Sequence, residues 1–317
     1  MMRIDAPTLE EIRAAQERLW GTAVRTPLIR LNVDSEAEIY LKLENLQPIG
    51  CFKIRGAGNA IAQASPEQLA QGVYTASAGN MAQGVGWWAR RLGVPFSVVV
   101  PDHAPQTKLA AIARLGGEII KVPWNEWWQV IVNHRYDGLD GLFIHPVSDP
   151  QVVAGNGTIG LEIVEDLPDV DVVITAFGGG GLSCGVGTAV HALRPQAKIY
   201  AAEPETAQPV AASLAAGDVQ QVTYTPSFVD GAGGNSVLPE MWPLVQETLA
   251  GSIVVTLEEV KAAIRHVVER NRVVAEGAGA LPVAAALSGK AGSGKIVCVV
   301  SGGNVDTAVL VQILQGG

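Results

Sequence analysis

The stretch VDVVITAFGGGGLSCG, residues 170–185, contains the parts of one βα unit. Its first eight residues form a short, mostly apolar and β-branched run, which is typical of a strand buried on both faces. Four glycines follow, and a helical pattern begins after them. Such a turn either serves only as a tight connection or presents backbone N–H groups to an anion at the helix N-terminus. Four consecutive glycines favour a phosphate site.

The same rhythm of strands and helices recurs along the chain. Four short apolar runs are predicted strands: 96–101, 170–177, 198–204 and 295–303. Three segments with helical periodicity lie among them: 80–94, 106–117 and 257–271. Two more strand-to-helix turns, SAGN (77–80) and SGGN (301–304), contain glycine. The pattern predicts an α/β fold with parallel-rich sheets covered by helices. Ligands of such folds bind at the carboxyl ends of the strands.

Composition narrows the class of protein. The 317 residues exceed the size at which single cores stop growing, so two lobes are expected. With 48% hydrophobic and 17% charged residues the chain can bury a large core. The net charge of −9 argues against nucleic acid as a partner, and the absence of like-charge blocks argues against a membrane surface. We expect a small-molecule substrate.

The cysteines and the N-terminus indicate a compartment. Cys51, Cys184 and Cys298 are few and far apart, with no CxxC pair, which favours a reducing cytoplasm. The first twenty residues lack the apolar core of a signal peptide. Instead, Thr8 and Glu11 have the spacing of a capping box, which predicts a helix start. We expect a cytoplasmic protein.

Five segments carry a resemblance to a known family. They are LKLENLQPIGCFKIRGAGNAI (41–61), TASAGNMAQGVGWWARRLGVPFSVVVP (75–101), VVAGNGTIGLEI (152–163), GGGGL (178–182) and VVSGGNVD (299–306). Together they resemble the pyridoxal-phosphate enzymes of fold type II, and in particular the threonine and serine dehydratase and serine racemase family. The resemblance implies a two-lobed architecture like that of the tryptophan synthase β chain. The large domain would comprise residues 1–65 and 148–317, and the small domain, residues 66–147, would carry the asparagine loop.

The resemblance also implies the cofactor, pyridoxal 5′-phosphate, and the residues that hold it. Lys53 would be the catalytic lysine that holds the cofactor as a Schiff base, and an apolar site would lower the pKa of its amine. The other cofactor-binding residues implied are Phe52, Asn80, Gly178, Gly179, Gly180, Gly181, Leu182, Glu276 and Ser301. A serine hydroxyl at the pyridine nitrogen would favour elimination over transamination. The implied reaction is removal of water from a β-hydroxy-α-amino acid, giving a 2-oxo acid and ammonia.

Departures from the family pattern bear on the substrate. Ala78 stands where racemases of the family carry a serine, which disfavours racemisation. Met81 replaces a common histidine with a soft apolar side chain. Trp124 and Trp128 are four residues apart and would share a helical face. If these side chains form one apolar pocket, the substrate would be bulky or aromatic, like phenylserine. The substrate-binding residues expected are Ser77, Ala78, Gly79, Asn80, Met81, Trp124 and Trp128.

A metal site and other functions remain as alternatives. Cation-binding relatives use a glutamate, a carbonyl and a later aspartate in the segment that corresponds to AEPETAQPV. Pro209 stands where the aspartate is expected, so we expect no metal there. The alternative functions are a pyridoxal-phosphate-dependent amino-acid racemase and a nicotinamide-dependent dehydrogenase that uses the glycine turns. A homodimer or homotetramer is expected because relatives commonly form one.

Overall fold

The computed structural model describes residues 3–316. Ten strands are described: β1 (Leu28–Arg30), β2 (Glu38–Lys42), β3 (Val73–Ala76), β4 (Phe96–Pro101), β5 (Glu118–Val122), β6 (Leu142–Phe143), β7 (Val172–Ala176), β8 (Lys198–Pro204), β9 (Gly251–Val255) and β10 (Lys295–Val299). The α-helices described are α1 (Leu9–Leu19), α2 (Lys53–Ile61), α3 (Pro66–Ala70), α4 (Asn80–Leu92), α5 (Gln106–Arg114), α6 (Trp124–Asn133), α7 (Pro150–Asp166), α8 (Gly181–Leu193), α9 (Pro209–Ala216), α10 (Trp242–Thr248), α11 (Leu257–Asn271), α12 (Gly277–Leu287) and α13 (Thr307–Leu314). One 3₁₀ turn spans Glu44–Leu46.

The larger sheet has six strands in the order β1-β2-β10-β7-β8-β9. All of its pairings are parallel except the edge pair β1–β2. Every residue of β7 is buried, as expected for a strand covered by helices on both faces. The predicted run 198–204 coincides with β8, and 295–303 contains β10.

The smaller sheet has four strands in the order β5-β4-β3-β6, and all of its pairings are parallel. The predicted run 96–101 coincides with β4. The prediction of an α/β fold with parallel-rich sheets and covering helices is therefore confirmed. The four-stranded sheet lies within residues 73–143 and the six-stranded sheet draws on both sides of it. The exact domain boundaries at 65 and 148 stay a prediction.

Helix packing brings α2, the helix that begins with Lys53, into the centre of the molecule. Every residue of α2 after Lys53 is buried, and the helix packs against α7 and α4. Glycines allow the close approach: a Cβ atom on Gly155 would lie 2.6 Å from the Arg55 carbonyl oxygen. Within α12 every residue but the last is buried, which explains its lack of charge.

The predicted capping box is present at the start of α1, where the Thr8 hydroxyl accepts from the Glu11 N–H and the Glu11 carboxylate accepts from the Thr8 N–H. Among residues 3–316, no helix combines the length and the hydropathy needed to span a membrane.

Candidate active site

Lys53 is the first residue of α2, and its side chain is partly buried. Its amine donates to the Pro146 carbonyl at 2.6 Å and lies 5.1 Å from the centre of the Phe52 ring. Burial lowers the pKa of the Lys53 amine to about 8, because a charged ammonium is costly in an apolar setting. Lys53 can therefore hold or release a proton near neutral pH, as a catalytic amine requires.

The glycine turn, residues 178–181, joins β7 to α8 as the sequence predicts. Gly180 has φ of +101°, a conformation that favours glycine, and it is the N-cap of α8. Within residues 3–316, no protein acceptor lies within hydrogen-bond distance of the backbone N–H groups of residues 178–182, which include that of Leu182. These donors and the positive end of the α8 dipole make an anion site.

Glu276 precedes α12, and its buried carboxylate faces the asparagine loop. The Asn80 amide donates to Glu276 Oε1 at 2.8 Å. The Asn304 amide donates in turn to Asn80 Oδ1, also at 2.8 Å. Burial, assisted by the negative charge of Asp230, raises the pKa of Glu276 to about 7. The structure thus joins two predicted residues, Asn80 and Glu276, with Asn304, which the sequence reading did not single out.

Ser301 follows β10 and is 3% exposed. Its backbone carbonyl accepts from the Phe52 N–H at 2.9 Å, which ties the SGGN turn to the residue before Lys53. No other described residue makes a hydrogen bond with the Ser301 hydroxyl. That hydroxyl is free to pair with a hydrogen-bonding group of a ligand.

A turn at residues 145–148 connects the lysine and the glycine turn, through two contacts that the sequence does not indicate. Pro146 supplies the carbonyl that accepts from Lys53. The next residue, Val147, packs on the glycine turn: a Cβ atom on Gly179 would lie 2.6 Å from its methyl groups. Backbone carbonyls and close van der Waals contacts leave no signature in residue type, so no sequence signal could have identified this turn.

The remaining residues of the asparagine loop border the same region. Ser77, Ala78 and Gly79 are half-buried, and the Ser77 hydroxyl accepts from the Gly79 N–H at 3.2 Å. Met81 is 1% exposed and packs in a hydrophobic cluster that contains Ile54. The predicted role of Met81 in substrate binding is therefore not apparent from its contacts and stays a prediction.

The two tryptophans predicted to share a helical face do so in α6. The Trp124 and Trp128 rings stack in parallel with their centres 6.0 Å apart. Trp124 is 49% exposed, whereas Trp128 packs partly buried against the cluster that also contacts Phe52. In the described chain neither tryptophan shares a cluster with Met81. The structure thus brings the tryptophans together, and the three-residue pocket stays a prediction.

Glu203, where relatives of the family place a cation ligand, binds protein donors. Its buried carboxylate accepts from the N–H groups of Val210 and Ala211, at 2.8 and 2.9 Å, and from the Ser252 hydroxyl at 2.6 Å. Pro209 is the first residue of α9, so Glu203 satisfies the N–H groups at the start of that helix. Across residues 3–316, no group of three or more His, Cys, Asp or Glu side chains could hold a metal ion.

Comparisons with known proteins show the family of the chain. A family model described as "Pyridoxal-phosphate dependent enzyme" matches residues 19–302. The L-threonine ammonia-lyase of Thermotoga maritima is 41% identical over 98% of this chain and 79% of its own length. The catabolic L-threonine dehydratase of Escherichia coli strain K12 is 37% identical over 96% of this chain and 95% of its own. The structure of maize serine racemase is similar with a TM-score of 0.90 at 34% identity, covering 98% of each chain.

Proposed function

The chain belongs to the family of pyridoxal-phosphate dependent enzymes, and we propose that it eliminates water from a β-hydroxy-α-amino acid of the L-threonine or L-serine type, after which one water molecule hydrolyses the released imine. Curated relatives with nearly full coverage are named for L-threonine ammonia-lyase and dehydratase activity. The chain is accordingly a pyridoxal-phosphate-dependent lyase. The products of the proposed reaction are a 2-oxo acid and ammonia.

The donors and acceptors of the site fit the cofactor. A phosphate monoester needs several N–H donors, and the turn at 178–182 offers a row of them without protein partners. A Cβ atom on Gly178 would meet nothing closer than the Gly231 carbonyl oxygen at 3.5 Å, so there is room beside the turn. An aldehyde needs an amine that can lose its proton, and Lys53 has one. We propose that these groups hold the phosphate and the aldehyde carbon, respectively.

The remaining predicted cofactor residues would hold the ring. Pyridoxal phosphate, when bound, supplies an aldehyde for the substrate amine and a ring that withdraws electrons from Cα. Phe52 would pack beside the ring and Ser301 would pair with its nitrogen. Asn80 keeps one amide N–H for the cofactor's 3-oxygen, because only the other is needed by Glu276.

Lys53 would move the proton in the reaction. Its amine, with a pKa of about 8, can accept the proton of the substrate Cα near neutral pH. The substrate carboxylate would bind the loop 77–80, where α4 begins after Gly79 without a side-chain cap. A base at Cα together with a leaving hydroxyl at Cβ gives elimination of water.

The observation that carries the proposal is a pair of contacts made by adjacent residues. The Pro146 carbonyl accepts from the Lys53 amine, and Val147 packs on the glycine turn. The first experiment is reduction of the purified protein with borohydride, followed by peptide mapping and assays of ammonia and 2-oxo acid release from L-threonine and L-serine. We expect the cofactor attached to Lys53 and turnover lost by about 10³-fold in Lys53→Ala. Lys261→Ala is the matched control, because the Lys261 amine lies in α11 and pairs with Glu258. A cofactor attached elsewhere, or undiminished turnover in Lys53→Ala, would contradict the proposal.

A narrower proposal concerns the size of the side chain. It rests on the residue types of Met81, Trp124 and Trp128 and on the stacking of the two indole rings in α6, which would favour a substrate with a bulky or aromatic side chain such as phenylserine. Replacing Trp124 and Trp128 by alanine should then raise KM for phenylserine selectively. An equal rise for L-threonine would refute this narrower proposal and leave the lyase in place.

Racemisation is the second candidate, because the maize serine racemase has a similar structure. Ala78 has no proton to deliver to the second face of Cα, which supports elimination over racemisation. Chiral analysis of the remaining amino acid during turnover separates the two activities. We further propose that the protein is cytoplasmic and forms a homodimer or homotetramer. Size-exclusion chromatography with light scattering would measure the oligomeric state.

A further inference from the structure

His145 is a buried histidine with three hydrogen bonds to the backbone. Its Nε2 donates to the Ile131 carbonyl, the two atoms lying 3.2 Å apart. Its Nδ1 accepts from the N–H groups of Val147 and Ser148, at 3.1 and 2.7 Å. A ring nitrogen that accepts two N–H groups cannot carry a proton, so these partners fix the neutral Nε2–H tautomer. The ring therefore acts as a template for residues 145–148.

The environment keeps the ring neutral and immobile. His145 is 1% exposed, and the His134 ring stacks on it with ring centres 4.2 Å apart. Burial lowers the pKa of His145 to about 3, and the nearby His134 ring contributes to the lowering. Ser148 adds a further anchor, since its hydroxyl donates to the Glu240 carboxylate at 2.9 Å. The turn is held from both sides.

The turn that His145 shapes touches both halves of the proposed site. The Pro146 carbonyl accepts from the Lys53 amine at 2.6 Å. Val147 presses on the glycine turn, since a Cβ atom on Gly181 would lie 2.9 Å from the Val147 carbonyl oxygen. The Pro146 carbonyl thus binds the amine, and the next residue packs against the glycine turn. Because Pro146 and Val147 are adjacent in the backbone, the conformation of the turn fixes the distance between the Lys53 amine and the glycine turn.

We infer that His145 is a positioning residue that sets the distance between the Lys53 amine and the glycine turn, and so matches the site to a ligand carrying an aldehyde at one end and a phosphate at the other. This inference rests on the proposed function. It assigns His145 a role through residues 146 and 147, without contact to the reacting atoms. Loss of the Nδ1 acceptor would leave the N–H groups of Val147 and Ser148 without their partner, and the turn could then move. The distance between the Lys53 amine and the glycine turn would no longer be fixed.

Two variants separate the hydrogen bonds of the ring. His145→Asn keeps an acceptor near the position of Nδ1 and so retains the turn. His145→Gln places its amide near Nε2 and so retains only the bond to Ile131. Both lose the ring that stacks on His134, so they share the packing cost. His191→Asn is the control, because His191 also lies 3.2 Å from a carbonyl oxygen, that of Ala197, but near the far end of α8.

The measurements are dissociation constants of pyridoxal and pyridoxal 5′-phosphate for the full chain freed of cofactor, read from the absorption of the adduct. Because pyridoxal lacks the phosphate, its dissociation constant reports binding at Lys53 alone. The constant for pyridoxal divided by the constant for pyridoxal 5′-phosphate reports what the glycine turn adds through the phosphate. In His145→Gln we expect about tenfold weaker pyridoxal binding and a ratio reduced by about tenfold. In His145→Asn and His191→Asn both quantities should stay near those of the wild type.

The inference would be overturned if His145→Asn and His145→Gln had equal dissociation constants. It would also be overturned if only the pyridoxal constant, or only the ratio of the two constants, changed in His145→Gln. Thermal unfolding of both variants checks that they fold. A wild-type chain in which borohydride attaches no cofactor to Lys53 would instead overturn the proposed function. The two failures are therefore distinguishable.

Discussion

Replacing Lys53 by methionine should change how the stability of the cofactor-free protein depends on pH. Burial lowers the pKa of the Lys53 amine from 10.5 to about 8 in the folded chain. The unfolded chain therefore binds a proton at this residue more tightly than the folded chain does. The charged amine opposes folding below pH 8, and this penalty disappears as the pH rises toward 10.5. The uncharged side chain of the Lys53→Met variant carries no such penalty at any pH.

The magnitude follows from the shift and from the contacts of the side chain. A difference in pKa of this size corresponds to a penalty of about 3 kcal/mol at neutral pH. Solvent screens the partly exposed Lys53 side chain, which reduces the penalty to about 1–2 kcal/mol. The variant also loses the hydrogen bond to the Pro146 carbonyl, at a cost of about 1 kcal/mol that is independent of pH. The pH-dependent part is therefore the decisive quantity.

Urea unfolding of both proteins, freed of cofactor, measures this quantity at neutral pH and near the unfolded pKa. We expect the free energy of unfolding of the wild type to rise by about 1–2 kcal/mol relative to Lys53→Met over that range. Other titrating groups are common to both proteins and cancel in the difference. A difference that stays constant with pH, or one that changes in the opposite direction, would refute the reasoning that the Lys53 amine is desolvated.

Three other variants test the surroundings of the site. Gly180→Ala forces a side chain into φ of +101° and should lower the free energy of unfolding by about 1–3 kcal/mol, as measured by urea unfolding; an unchanged value would argue against this backbone geometry. Arg55→Met removes the guanidinium that pairs with the buried carboxylates of Glu44 and Glu162, although Glu162 keeps its pair with Lys42, and should cost about 3–5 kcal/mol, visible as a lower Tm; an unchanged Tm would show that the pairing is dispensable. Burial raises the pKa of Glu276 from 4.5 to about 7, so the charged carboxylate opposes folding. The free energy of unfolding of the wild type should therefore fall by about 3 kcal/mol relative to Glu276→Gln as the pH rises from 4.5 to 7. Parallel plots of unfolding free energy against pH for the two proteins would contradict that shift.

The sequence predicted the fold best where a buried strand has a distinctive composition. The run at 96–101 is apolar apart from Ser97 and coincides with β4, as expected for a strand covered on both faces. The run at 198–204 coincides with β8, although its exposed Lys198 and its buried Glu203 depart from that composition. The edge strand β1, three residues long, is half-buried or exposed and carries no such pattern. The two-residue β6 likewise depends on pairing with β3, a contact between distant parts of the chain. Short edge strands are therefore defined by their neighbours.

The candidate site divides in a similar way. Lys53 and the glycine turn could be predicted because their residue types are unusual at those positions. Pro146 and Val147 could not be, since one contributes a carbonyl and the other a van der Waals contact, and neither needs a particular side chain. Met81 is a different case, because its type suggested a substrate contact while its side chain packs in the core, and the substrate contact stays a prediction. Side-chain direction depends on tertiary packing, which the sequence pattern does not contain.

The helix starts explain why residues so far apart in sequence form one site. The helices α1, α3 and α11 satisfy N–H groups of their first turn with a capping side chain, which is Thr8 in α1. The four helices that begin at the candidate site, α2, α4, α8 and α12, have as N-caps Phe52, Gly79, Gly180 and Glu276, and none makes a side-chain cap. Each missing cap forgoes about 1 kcal/mol. The N–H groups left free at these helix starts, together with the helix dipoles, suit a ligand that carries a phosphate and a carboxylate. Side-chain caps are also absent at α5 and α6, so the distinguishing feature of the site is that its helix starts are joined by the contacts Lys53–Pro146 and Asn80–Glu276.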